Sequence, residues 1–134
     1  MTPRFDLPTI EPETQPFWDA ARERRLLIQR CSGCGAAQHY PRAICATCWS
    51  DQVAWEEASG RGTLYTFSTV FINDLPPFAA RLPYVAAAVD LEEGPRLMTN
   101  IVGAEPGDLR VGMPVVVDFV ALNDEITAPV FRPA

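Results

Sequence analysis

The sequence predicts a mainly β protein: an N-terminal helix, a four-cysteine metal ribbon, then a five-stranded barrel. Three observations predict it. Four cysteines fall in two Cys-x-x-Cys pairs between Cys31 and Cys48. One segment of helical periodicity, Pro16 to Arg25, precedes them. Five runs rich in apolar and β-branched residues follow, parted by turn residues.

Pro3, Pro8 and Pro12 punctuate residues 1–12, which read as an extended arm. Thr14 or Gln15 offers an N-cap, and Pro16 fits the first turn, where no N–H is needed. The helix is expected over 16–25. Phe17, Ala20, Ala21 and Arg24 share one of its faces, and Trp18, Arg22 and Arg25 lie on another. Trp18 beside arginines would suit a ligand or partner; packing against the barrel is the simpler expectation. Leu26 to Arg30 reads as a short strand leading into the cysteines, and Trp49 to Ser59 as a connector containing Trp55.

Gly60-Arg61-Gly62 marks a bend where a second lobe begins. In Thr63 to Ile72 the apolar residues Leu64, Phe67, Val70 and Ile72 alternate imperfectly, which predicts a bulge. Asn73 to Leu82 is a loop carrying Pro76, Pro77 and Phe78. Further strands are expected at Tyr84 to Leu91, Arg96 to Val102, Val115 to Leu122 and Ala128 to Phe131. Five short strands suggest a small closed barrel, of which the OB-fold is the commonest form. The expected division is arm and helix 1–25, ribbon and connector 26–59, barrel 60–134.

Cys31-Ser32-Gly33-Cys34 and Cys45-Ala46-Thr47-Cys48 stand ten residues apart. Each pair can form a knuckle giving two thiolates to one tetrahedral ion, with backbone N–H groups turned toward the sulfurs. Gly33 and Gly35 give the first knuckle its backbone freedom. A redox pair of the thioredoxin kind needs one such motif rather than two. Iron satisfies the same ligand type, but one zinc ion held by Cys31, Cys34, Cys45 and Cys48 is the expected cofactor. Four protein thiolates close the shell, so the metal is expected to be structural.

Composition narrows the function. The 134 residues are 48% apolar, enough for a modest core. Net charge is −6, with a balance of +1 over residues 1–50 and −7 over 51–134. There is no lysine, which excludes Schiff-base chemistry and a Walker-type phosphate loop. Phosphate would have to be held by arginine or backbone N–H groups. No apolar stretch reaches the roughly 20 residues of a membrane span. Met1 to Ile10 has no apolar run of signal-peptide type, so a cytoplasmic protein with reduced thiols is expected.

His39, the single histidine, lies between the knuckles, where a catalytic triad is not expected. The pairs Glu56-Glu57, Glu92-Glu93 and Asp124-Glu125 are sequence neighbours, which a strand turns to opposite faces. No catalytic residue is expected. A nucleic-acid-binding ribbon/barrel module is the alternative reading, and Tyr65 and Phe67 are expected to share one face for it. Its basic footprint is missing, because the barrel lobe is acidic.

The chain resembles a family of rubredoxin-like zinc-ribbon/OB-fold proteins, once filed as a domain of unknown function, that accompany thiolases and other acyl-CoA enzymes. The resemblance rests on Pro16-Phe17-Trp18, Leu27 to Cys31, Cys34-Gly35, Tyr40-Pro41-Arg42, Cys45 and Cys48. In the barrel it rests on Gly60-Arg61-Gly62-Thr63, Gly94-Pro95-Arg96, Val111 to Val115 and Pro129 to Pro133. It implies a non-catalytic accessory subunit that assembles with a thiolase-like acyltransferase or related acyl-CoA enzyme and helps hold CoA or acyl-CoA. CoA needs arginine for its phosphates and apolar or aromatic surface for the rest. Trp18, Arg22, Arg25, Arg42 and Phe78 are the candidate contacts. Neither nucleic acid nor membrane is expected as a partner.

Overall fold

The structure, a computed structural model, describes residues 4–134. Among the described residues there is one α-helix, α1 (Gln15–Arg22), two short 3-10 turns at Phe78–Arg81 and Pro106–Asp108, and a ribbon sheet of β1 (Leu27–Cys31), β2 (Ala37–Gln38) and β3 (Val53–Glu57). The remaining strands are β4 (Arg61–Val70), β5 (Tyr84–Leu91), β6 (Arg96–Ile101), β7 (Pro114–Ala121) and β8 (Thr127–Pro133). The ribbon is antiparallel in the order β2-β1-β3. The others close a barrel, β4-β5-β6-β8-β7, with β7 paired back to β4. Among the described strands only β6 and β8 run parallel, meeting at Ile101 and Phe131. This is the five-stranded barrel that the turn spacing predicts.

Thr14 sits at the N-cap of α1 with proline in the first turn, as expected. The helix stops at Arg22, short of Arg25. Arg24 takes a left-handed φ of 61°, and the Arg25 N–H returns to the Ala20 carbonyl at 2.9 Å. Helices commonly end this way, usually on glycine; with arginine there, nothing in the sequence marks the stop. Phe17, Ala20 and Ala21 are buried as expected. Arg24 instead leaves that face and reaches Asp118 on β7 at 2.7 Å.

The connector expected over 49–59 contains a strand. β3 pairs with β1 from Leu27↔Glu57 to Cys31↔Val53. Its Val-Ala-Trp-Glu-Glu sequence lacks alternation, so pairing rather than pattern makes it a strand. The expected bulge lies in β4 between Leu64 and Thr66. It also corrects the expected pairing of aromatics. Tyr65 is exposed while Phe67 packs on the core, because one extra residue changes which side a side chain faces.

Phe131, Ile28, Leu64, Val89 and Val115 are among the largest fully buried side chains. Phe17 of α1, Leu26 and Ile28 join the barrel residues in one apolar cluster. Gly60 and Gly62 bring the β4 backbone close to its neighbours. A Cβ on Gly60, whose φ is +84°, would lie 2.6 Å from Val117; one on Gly62 would lie 2.7 Å from the Asp90 carbonyl oxygen. Among the described residues, no helix is long and apolar enough to cross a membrane.

Candidate metal centre

Two loops with matching hydrogen bonds build the site. In the first, the Gly33 N–H points to the Cys31 sulfur at 3.3 Å, and the Gly35 N–H donates to the Cys31 carbonyl at 2.8 Å. In the second, the Thr47 N–H points to the Cys45 sulfur at 3.3 Å, and the Trp49 N–H donates to the Cys45 carbonyl at 2.9 Å. The residue after each knuckle is left-handed, with φ 80° at Gly35 and 68° at Trp49. The sulfurs of Cys31, Cys34, Cys45 and Cys48 all lie within 4.8 Å of one another. Cys31 and Cys45 are buried, and Cys34 and Cys48 are exposed.

Sulfur separations are 3.6 Å for Cys31–Cys48 and 3.7 Å for Cys34–Cys45. Four sulfurs about 2.3 Å from a central ion stand about 3.8 Å apart in a tetrahedron. The spacing therefore fits a single thiophilic ion. Electrostatics agree. Backbone N–H groups of Cys48 and Thr47 bring the Cys45 thiol down to about 6. Those of Cys34 and Gly33 lower Cys31. At Cys48 the Ser50 N–H also favours the thiolate, but Cys34, desolvation, Cys31 and Cys45 outweigh it and push the thiol up to about 12. Four sulfurs this close resist carrying four negative charges unless a cation sits among them.

A side-chain network that sequence reasoning missed braces the loops. Gln29, buried on β1, accepts from Gln38 Nε2 at 2.7 Å and from the Arg42 N–H at 2.9 Å. Gln38 in turn accepts from the Ala46 N–H at 2.9 Å. The network ties β1, β2 and the second knuckle together. A buried glutamine carries no spacing signal, and Leu-Ile-Gln-Arg-Cys does not alternate in a way that marks it.

His39 does not join the cluster. It is buried edge-on to Phe17 and Tyr40, with no hydrogen-bond partner at Nδ1. Burial lowers its pKa to about 4. The carboxylates with shifted pKa values, Asp6, Glu56, Asp90, Glu92 and Asp118, all move down. Hydrogen-bond donors hold them as anions, the opposite of what a general acid needs.

Of the candidate ligand contacts, Trp18 and Arg22 share one hollow and the others lie apart. Trp18 is half-buried against the core and borders a shallow hollow with Arg22, Asp19 and Glu125. Arg25 is engaged by Glu57 at 3.1 Å and Glu23 at 3.2 Å. Arg42 is exposed on the ribbon. Phe78 belongs to a different hollow, at the barrel mouth, with Arg81 and Tyr84.

Residues 18–54 match the model of the ChsH2 rubredoxin-like zinc ribbon domain, and residues 55–120 that of the ChsH2 C-terminal OB-fold domain. A solved structure described as an Ltp2-ChsH2(DUF35) aldolase has a chain 41% identical to this one. The match covers 95% of this chain and 98% of that one, with a TM-score of 0.84. A probable enoyl-CoA hydratase alpha subunit of Thermomonospora curvata is 42% identical over 95% of this chain. This chain spans only 39% of that relative's length. A DUF35 domain-containing scaffold protein of Methanocaldococcus jannaschii is 36% identical, over 81% of this chain and 77% of its own. The benzoylsuccinyl-CoA thiolase subunit BbsA of Thauera aromatica is 33% identical, over 60% and 54% of the two chains. The thiol cluster, the barrel order and these matches agree: the chain belongs to the DUF35 family, with the zinc ribbon and OB-fold of ChsH2.

Proposed function

We propose that this chain is a non-catalytic accessory subunit of an acyl-CoA enzyme complex, with one structural zinc ion in the Cys31, Cys34, Cys45 and Cys48 cluster. The observation that carries the reading is the closed set of four thiols, with a single histidine buried away from it. A shell completed by protein sulfur gives substrate no place on the metal, so the ion supplies folding energy and rigidity. The partner is an aldolase, hydratase or thiolase-like enzyme that handles CoA thioesters. Relatives named as a scaffold, as a thiolase subunit and as an aldolase complex support that choice.

Arm and helix 1–25, ribbon and connector 26–59 and barrel 60–134 are the proposed units. The contacts for CoA are sought at Trp18, Arg22, Arg42 and Phe78. Arg25 is the weakest of the five candidates, because two glutamates already engage it. Trp18 and Arg22 share one hollow while Arg42 and Phe78 lie elsewhere, so a CoA-holding role needs the partner to complete the site. The protein acts in the cytoplasm and takes neither nucleic acid nor membrane as partner.

The test has two parts. The purified protein should contain one zinc per chain and show no thiolase, aldolase or hydratase turnover alone. Affinity capture from native cells, followed by mass spectrometry, should recover an acyl-CoA enzyme. Turnover by the isolated chain, free of contaminants, would refute the accessory role. Salt-dependent binding of single-stranded DNA or RNA near physiological ionic strength would favour the alternative.

A further inference from the structure

The mouth of the barrel holds a hollow of about 580 Å³. Its volume falls within the usual range for small-molecule sites, about 300–1,000 Å³. Tyr84, Ile101, Val120, Leu122 and Val130 give it a largely apolar wall. The wall is fixed in part by Asn73, whose amide donates to the Tyr84 hydroxyl at 3.0 Å.

One end of the hollow is charged, and the chain's own arm fills it. The Asp6 side chain is only 4% exposed. Its Oδ2 receives Arg81 Nη2 and Arg4 Nη2, each at 2.8 Å. Arg81 also lies over the Phe78 ring, 5.6 Å from its centre. Asp6 and Arg81 are far apart in sequence, so this pair alone does not follow from local chain geometry. The arm is otherwise lightly attached. Among the described residues, the backbone bond that fastens it to the barrel lobe is Phe5 N–H to the Pro76 carbonyl, at 3.1 Å.

We infer that the barrel mouth binds an amphipathic anion, a carboxylate or phosphate head on an apolar chain, and that the Asp6 carboxylate occupies the head position in its absence. The head would replace Asp6 on Arg81, while the chain lies along the apolar wall. The Arg81 guanidinium, which stays on the barrel lobe when the arm carrying Arg4 leaves, is a charge-assisted donor suited to either anion. Glu105, on the rim, repels an anion there and leaves Arg81 as the favoured end. Displacing the arm breaks one backbone bond and frees Asp6 to water. Binding is therefore a competition between two anions for one cationic site. The inference does not depend on the accessory reading, which is decided by turnover and partner recovery.

The experiment titrates the full-length, metal-loaded protein with decanoate, decyl phosphate and decanol below their micellar concentrations. Calorimetry reads affinity, and amide exchange reads the Phe5 N–H. One decanoate or decyl phosphate should bind per chain, roughly tenfold tighter than decanol. The tighter of the two anions identifies the head. Phe5 should lose exchange protection as the anion binds. Asp6→Asn should tighten anion binding by roughly tenfold, and Arg81→Gln should abolish the preference over decanol. Equal binding of anions and decanol overturns the proposal. So does an absence of binding, or an unchanged Phe5 amide on saturation. If Asp6→Asn does not fold, the wild type against Arg81→Gln decides alone.

Discussion

Trp49 occupies the left-handed position that Gly35 fills in the matching knuckle. Its side chain is 79% exposed, so packing does not repay the backbone strain. That strain is about 1–2 kcal/mol for an L-residue, against about 0.5–1 kcal/mol of extra freedom that glycine loses on folding. Trp49→Gly should therefore leave stability unchanged to within about 1 kcal/mol, read as the denaturant midpoint of the metal-loaded protein. His39 gives a larger effect. Its pKa falls from 6.5 to about 4 on folding. Between those values the unfolded chain binds more protons than the folded one, so stability should fall as pH drops from 6.5 toward 4. The difference amounts to about 3 kcal/mol. His39→Phe should remove that slope, with the wild-type-minus-variant comparison cancelling the pH dependence of the metal. Asp6 acts lower on the scale. Hydrogen bonds from Arg4, and then Arg81, hold it at about 2 against an ordinary 3.8. Its contribution is present above pH 3.8 and should disappear as pH falls through 2.

At the scale of elements, the knuckles and the β4 entry are the sensitive points. Cys45→Ala should unfold the ribbon, because metal binding supplies on the order of 10 kcal/mol to such sites. Loss of bound metal with barrel signals partly retained, read by metal analysis and NMR, is the expected outcome. Gly60→Ala combines a positive φ with a Cβ placed 2.6 Å from Val117. It should cost about 2 kcal/mol or more in chemical denaturation. Much at this scale was legible. Tyr84 to Leu91 coincides with β5, and the uneven spacing of Leu64 and Phe67 foretold the bulge. The cysteine spacing brought the candidate metal cluster into view without any fold. The rest depended on partners. β3 becomes a strand because β1 offers it hydrogen bonds, and α1 ends at an arginine that shows no stop signal. The scattered placement of Trp18, Arg42 and Phe78 could not be read either, because helix, ribbon and loop positions carry no mutual distances in a linear pattern.

At the scale of the molecule, ribbon, helix and barrel share one apolar cluster, so neither lobe buries its core alone. Polar contacts cross between them too, among them the Met98 N–H on β6, which donates to the Tyr40 hydroxyl of the ribbon at 2.9 Å. Tyr40→Phe should cost about 0.5–1.5 kcal/mol and speed exchange of the Met98 amide. The barrel's closure has a further consequence. Every strand in it has a neighbour on both sides, so none is left as a free edge along its whole length on which a foreign chain could be templated. The ribbon sheet does leave two flanks, a two-residue one along β2 and a longer one along β3. There Glu56 and Glu57, matched by Arg30 and Arg25, set charge where an aggregating strand would have to dock. Fibril growth on the ribbon therefore has only short starting lines, and the longer of them is fenced.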